Sequence, residues 1–339
     1  MTRHYCTYFD SRYLPQGLVL RESLEIFSPS NFVLYILCLD NECYDILSEY
    51  NFSNVVPIRL DEIEGTDPLL LEAKASRSRI EYIFTLTPCL IWYVLRSYEN
   101  VDFVSYVDAD IKFFFSPEVI FEEISEKSVF IIPHNFSERN QHLIKYGKYN
   151  VGLVGVRNDP NGNNCVAWWR KKCIEWCYDR LDGNRFADQK YLDDWPTLFA
   201  GVVVSKNPGL NLAAFNVDNF VLSMSQGGFM ISGKRLIFYH YHDLKQLNTF
   251  LWKLNVVTLK EEQKTVIKLI YEQIISRLKF FQIQFTSKNL IQPRHSTKAM
   301  NLLREFQRNT ILFHIRHISF FVDLRKLVSG IFRIRNLFR

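Results

Sequence analysis

The chain has 339 residues, 47% of them hydrophobic and 23% charged, enough for one large α/β domain with an appendage and too apolar for a disordered chain. Its formal net charge of +5 sits in the tail, where from Phe313 onward six basic residues face only Asp323; a uniformly basic nucleic-acid binder would look different. Seven cysteines without framework spacing, no apolar segment at the start and no uncharged apolar run near the ~18 residues of a bilayer span make a cytoplasmic location the expectation.

Tyr5 to Phe9 is a short aromatic, β-prone run, and Leu18 to Phe27 has the apolar spacing of a helix. Phe32 to Leu39 is a continuous apolar run ending at Asp40, as in a strand buried on both faces. Val55 to Leu60 is another strand. Glu72 to Tyr98 reads as a helix interrupted near Thr87 and Pro88. Val101 to Val107 is a strand that ends in an acidic pair. Val119 to Ile124, Cys165 to Leu181 and Gln189 to Leu198 are predicted helices, and Cys173 and Cys177 are read as packed, reduced thiols. Val129 to Pro133, Val151 to Val156, Val202 to Val204 and Leu236 to Tyr241 are predicted strands.

This alternation predicts an α/β fold with a mixed, mostly parallel twisted sheet between helices, and ligands past the carboxyl ends of its strands. After about Leu251 the pattern changes. Lys260 to Phe285 and Thr297 to Phe313 have helical periodicity, so residues 1–250 form the predicted main domain and 251–339 an α-helical C-terminal region. From Phe320 to Phe338, apolar residues share one helical face while Arg325, Lys326 and Arg333 fall away from it. An amphipathic helix of this kind suits peripheral contact with an anionic membrane.

The most informative segment is Phe-Val-Ser-Tyr-Val-Asp-Ala-Asp, residues 103–110. In an extended chain, side chains two residues apart point the same way, so Asp108 and Asp110 would converge at the rim of the sheet. Two carboxylates there repel unless a proton or cation relieves them, and hard cations such as Mg²⁺ and Mn²⁺ prefer carboxylate oxygen. No Ser-His-Asp order, Cys-His pair or glycine-rich phosphate loop stands out.

Four segments in this order are similar to one family: Tyr-Val-Asp-Ala-Asp (106–110), Tyr-Asn-Val-Gly (149–152), Ala-Asp-Gln-Lys-Tyr-Leu (187–192) and His-Tyr-His-Asp-Leu-Lys (240–245). Residues Tyr5 to Lys245 resemble a GT-A (Rossmann-like) nucleotide-diphospho-sugar transferase of the kind grouped in glycosyltransferase family 8 and its bacterial relatives. The resemblance implies a Mn²⁺ or Mg²⁺ held by Asp108, Asp110 and a histidine, His240 or His242, with His240 favoured by the alignment. It implies a donor site of Tyr8 and Asp10 at the base, Arg79 (or Arg77) and Lys245 at the phosphates, and Asn150 at a sugar hydroxyl. Asp188 and Gln189 are the implied catalytic residues beside the anomeric carbon. The implied reaction is transfer from a UDP-sugar, with retention, to a glycan or lipid-linked acceptor in surface polysaccharide synthesis. A catalytically inactive nucleotide-sugar-binding protein is the alternative. A pyrophosphorylase would need a richer phosphate loop than Asp10 to Gly17, which has one glycine.

Overall fold

The computed structural model describes residues 2–247, 251–254, 261–287, 310–315 and 318–322. The strands in chain order are β1 (Arg3–Phe9), β2 (Phe32–Cys38), β3 (Val55–Arg59), β4 (Phe103–Val107), β5 (Ile111–Phe113), β6 (Val129–Pro133), β7 (Tyr149–Arg157), β8 (Val202–Val204), β9 (Leu212–Ala213), β10 (Leu222–Ser225), β11 (Gly228–Ile231), β12 (Lys234–Arg235), β13 (Phe238–His240), β14 (Lys245–Gln246), β15 (Leu251–Leu254), β16 (Thr310–Ile315) and β17 (Ile318–Val322). The helices are α1 (Leu14–Phe27), α2 (Asn41–Tyr50), α3 (Leu60–Gly65), α4 (Pro68–Ala75), α5 (Arg79–Ser97), α6 (Glu118–Ile124), α7 (Pro160–Glu175), α8 (Trp195–Leu198) and α9 (Glu261–Ser287).

The central sheet has seven strands in the order β3-β2-β1-β4-β7-β6-β8. β7 runs antiparallel to both neighbours and every other pairing is parallel, so the sheet is mixed and mostly parallel, as expected. Strand side chains alternate between two cores. Phe103 and Val107 of β4 face the core shared with α1 and α9, whereas Val104 and Tyr106 face the core shared with α5 and α7. Gly17 lets α1 lie close on β1: a Cβ there would stand 2.1 Å from the Phe9 ring.

Helix starts follow their caps. Asp40 accepts from Cys43 N at 2.8 Å to open α2, and Ser78 with Glu81 forms a capping box at α5. The predicted break at Thr87-Pro88 is absent. The chain breaks at residues 76–78 instead, and Pro88 sits inside an intact α5. The helix expected to reach Leu181 stops at Glu175, and Gln189 to Leu198 is a 3-10 turn (Gln189–Asp194) followed by α8. All seven cysteines are buried free thiols.

The expected C-terminal helix is present as α9, joined to α1 by Arg277 and Glu22, at 2.5 Å. Two further helix expectations are corrected in part. Thr310–Ile315 and Ile318–Val322 pair antiparallel in a second sheet of order β14-β15-β16-β17. Their apolar runs suit a strand as well as a helix, and pairing with β15 decides between them. The rest of the predicted helix over 297–313, and residues 323–339 of the basic tail, lie outside the described residues. Among the described residues no helix is long and apolar enough to cross a membrane.

Candidate active site

The carboxyl edge of β1, β2 and β4 opens into a cavity of about 2020 Å³. β4 ends at Val107, and residues 108–110 turn rather than continue extended, closed by Ile111 N donating to Asp108 O at 3.1 Å. The two carboxylates therefore converge through a turn, not through the strand register expected from spacing alone. Asp108 N donates to Gly152 O on β7 at 3.0 Å. After the turn β5 pairs antiparallel with β13, setting His240 opposite Ile111, and Tyr241 N donates to Asp110 O at 3.0 Å.

This pairing brings one imidazole to both carboxylates. His240 Nε2 lies 3.2 Å from Asp110 Oδ1 and 3.5 Å from Asp108 Oδ2. One ligand atom from each of the three residues falls within 4.8 Å of the others. A hard divalent cation takes such an oxygen-rich set with one imidazole, so these residues fit the implied metal. His242 is not part of the group; its ring stands 5.1 Å from that of His240. Burial pushes the Asp108 carboxyl up, against the pull of His240. Burial also opposes ionisation of Asp110, but the charge and hydrogen bond of His240 outweigh it and hold that carboxyl low.

Gly152 leaves room for this arrangement. A Cβ there would meet Asn150 Oδ1 at 2.8 Å and the His240 ring at 3.0 Å. Asn150 lines the cavity with its side chain engaged: Oδ1 accepts from Gly152 N at 2.6 Å and Nδ2 donates to Asn211 Oδ1 at 3.3 Å.

Tyr106 alternates onto the same side as Asp108 and donates to its Oδ1 at 2.7 Å. Tyr8 is half-buried against Tyr106, with ring centroids 5.5 Å apart, and its hydroxyl meets Thr87 Oγ1 at 3.1 Å. The Thr87 hydroxyl also favours the charged form of Asp188. Asp188 is buried, and burial pushes its carboxyl up to about 7 against the Thr87 hydrogen bond, with the Asp108 charge adding to the rise. The preceding Ala187 has φ of 45°, a left-handed conformation that costs a residue with a Cβ and places strain beside the site. Gln189 lines the cavity and donates to Tyr146 O at 3.3 Å.

The Asp10 carboxylate is fully engaged. Oδ1 accepts from Tyr13 N at 3.2 Å, and Oδ2 accepts from Arg12 Nη2 at 2.8 Å and Arg79 Nη2 at 3.0 Å. Both guanidinium groups are exposed on the cavity. Arg77 instead ties α5 to the end of α7 through Thr85 Oγ1 and Ile174 O, each at 2.6 Å. Lys245 is exposed on β14 opposite Lys253 and does not line the cavity, whereas its neighbours Gln246 and Leu247 do.

Arg12, Tyr13, Tyr106 and His134 line the cavity but were not among the residues expected there. The period-2 alternation of β4 was the available signal for Tyr106 beside Asp108. Nothing local marked His134, which follows β6 and packs on Phe136 with ring centroids 4.4 Å apart.

No family model matches the sequence. Two proteins of Bacillus subtilis (strain 168) do: uncharacterized protein YfnD is 33% identical over 257 residues, 74% of this chain and 80% of YfnD. Uncharacterized protein YfnF is 32% identical over 251 residues, 71% of this chain and 81% of YfnF. Among solved structures, the galactosyltransferase LgtC, crystallised with donor and acceptor sugar analogues, aligns with a TM-score of 0.50 at 15% identity, over 70% of this chain and 87% of LgtC. The likeness is one of fold, and the chain has the GT-A fold that its motifs led one to expect.

Proposed function

We propose that this chain, which belongs to the same family as YfnD and YfnF of Bacillus subtilis, is a divalent-metal-dependent glycosyltransferase. The observation that carries the reading is the convergence of Asp108, Asp110 and His240 at the carboxyl edge of a GT-A sheet, open to a cavity large enough for two substrates. The donor is a nucleoside diphosphate sugar, with UDP favoured, and the acceptor is a glycan or lipid-linked sugar of surface polysaccharide synthesis.

Asp108, Asp110 and His240 would hold Mn²⁺ or Mg²⁺, which when bound would supply charge neutralisation at the donor diphosphate. Arg12 and Arg79, held by Asp10, add fixed positive charge on the same side of the cavity. Asp10 acts as their anchor instead of reading the base, and Tyr13, 42% exposed on the cavity, offers a face for base stacking beside the half-buried Tyr8, which lines the cavity too. Asp188 and Gln189 border the donor sugar, and Asn150 fixes the floor below it. Lys245 stays outside this donor site.

In the transfer, an acceptor hydroxyl oxygen bonds to the anomeric carbon. The bond from that carbon to the diphosphate breaks with its electron pair leaving on the diphosphate, and the hydroxyl proton follows to a departing phosphate oxygen. Attack and departure on one face retain configuration.

The test is a donor screen over UDP-, GDP- and CMP-sugars, with and without Mn²⁺, reading sugar release and transfer. We expect turnover of one UDP-sugar that stops with chelator. Turnover that ignores chelator, or tight donor binding with no turnover across acceptors, sinks the reading.

We also infer that the basic tail brings the protein to anionic membrane surfaces. Vesicle co-sedimentation of the full chain should exceed that of a chain cut after Val322, and equal binding removes this inference.

A further inference from the structure

Resting on the transferase reading, we propose that the acceptor presents an uncharged carbohydrate, without phosphate or carboxylate, to the part of the cavity beyond Asp188. The order of strands in the sheet sorts the cavity lining by chemistry. Past β2, β1 and β4 come Asp40, Asp10, Arg12, Asp108 and Asp110, with Arg79 at the start of α5. Past β6, and on the loops around β7, come His134, Phe136, Leu143, Tyr146, Phe186 and Phe215. Among the described residues, no Asp, Glu, Lys or Arg lines this second part.

His134 adds no charge. Burial pushes its imidazole down to about 3, so the ring is neutral at physiological pH. Glu138, Arg139, Lys145, Lys148, Arg185 and Lys190 lie close in sequence to this wall but are not among the residues that line the cavity. Arg139 bonds Asp218 at 2.5 Å and Ala214 O at 3.1 Å, and Lys190 bonds Asp193 at 2.8 Å. Lys145 stands over the Tyr146 ring, 5.1 Å from its centroid, and is not a lining residue.

A phosphate or carboxylate entering here would lose water without meeting a counter-charge, which is costly. A neutral sugar loses nothing comparable. Its C–H faces pack on aromatic rings, and the rings are set at varied angles: Tyr146 and Phe186 lie 4.6 Å apart at 55°, and Phe215 stands edge-on to His134 at 5.1 Å. Its hydroxyls would meet the neutral amide of Gln189, which lines the cavity next to Asp188.

The test uses acceptor sets that differ only in charge: alkyl hexosides, each against its uronic acid and its 6-phosphate, with the donor that the wild type hydrolyses. We expect kcat/KM for the neutral member of at least one set to exceed that of both charged members by about tenfold. Leu143→Lys adds a cation to this wall, on a 3-10 segment with no buried residue, and should fold. It should narrow the gap about fivefold, the effect of one charge pair near 4 Å in water. Equal or better use of the charged members, or no transfer to any neutral acceptor, overturns the inference. Donor hydrolysis without acceptor separates the two readings: if it persists in those cases the transferase survives and only the acceptor class fails.

Discussion

The two parts of the cavity are built in opposite ways. The charged part stands on the ends of adjacent strands and is locked by short polar contacts: Tyr106 to Asp108, His240 to Asp110, and Arg12 and Arg79 to Asp10. The uncharged part comes from separate loops whose rings touch one another and whose carbonyls are held by amide side chains, Gln141 to Phe136 O, Asn140 to Phe215 O and Asn216 to His134 O. Fixed charges hold their geometry only when each is braced by its neighbours, since an unbraced carboxylate pair would spread. A surface that meets neutral sugar needs shape more than charge, and loops supply shape.

The largest effect should come from breaking the charged part at its centre. Asp110→Ala should lower kcat by ~100-fold or more, the usual cost of losing one fixed charge-stabilising element at a transition state. Tm and circular dichroism should show an intact fold. Near-normal transfer in a folded variant would mean that the cluster is not the catalytic one.

Asp188 stands at the boundary, and its protonation decides which part it belongs to. With the folded carboxyl at about 7 and an unfolded one near ~3.9, both states are protonated below about pH 4 and no penalty exists there. As pH rises the unfolded chain ionises first, so stability falls until about pH 7, where the folded carboxyl ionises too. In metal-free protein, Asp188→Asn should therefore match wild type near pH 4 and gain up to about 4 kcal/mol over it by neutral pH. Thermal melts across that range check this. A difference that does not change with pH would show that Asp188 is charged in the folded chain.

The charged part was also the more legible one. Tyr-Val-Asp-Ala-Asp and His-Tyr-His are contiguous, so residue type and spacing survive in the sequence, and His240 is the histidine that the pairing of β5 with β13 delivers. What spacing could not show was the turn at residues 108–110, because it depends on the hydrogen bond from Asp108 to β7. Tyr8 was legible as an aromatic at the end of β1, whereas Tyr13, more exposed on the same cavity, was not, because nothing local marks its exposure. The uncharged part left no local trace, since each ring arrives alone on a different segment. The same limit applies to Thr310–Ile315, whose apolar residues fit either period until a partner strand is present.

Gly152 tests how tightly the charged part is braced. Its backbone conformation suits alanine, so a substitution adds only the Cβ, which would press on Asn150 and on the His240 ring. We expect Gly152→Ala to weaken Mn²⁺ binding by about 10- to 100-fold, as is typical when the support of a metal ligand is disturbed. Calorimetric titration of the folded variant measures it. Unchanged affinity would show that the ring can shift without loss.

The smallest expected effect belongs to the uncharged part and bears most directly on the contrast. Phe186 is half-buried, packs on Tyr146 at 4.6 Å and faces the cavity two residues before Asp188. Phe186→Ala removes one face from a wall made of several, so the loss is shared rather than complete. Acceptor KM should rise several-fold, in line with about 1 kcal/mol for one aromatic contact. Donor KM should stay within about twofold, since the donor groups are held by a separate set of hydrogen bonds. Initial rates with each substrate varied in turn would show the split. If donor and acceptor KM rise together, the two parts are mechanically one, and the strained step at Ala187 that joins Phe186 to Asp188 is where they are coupled.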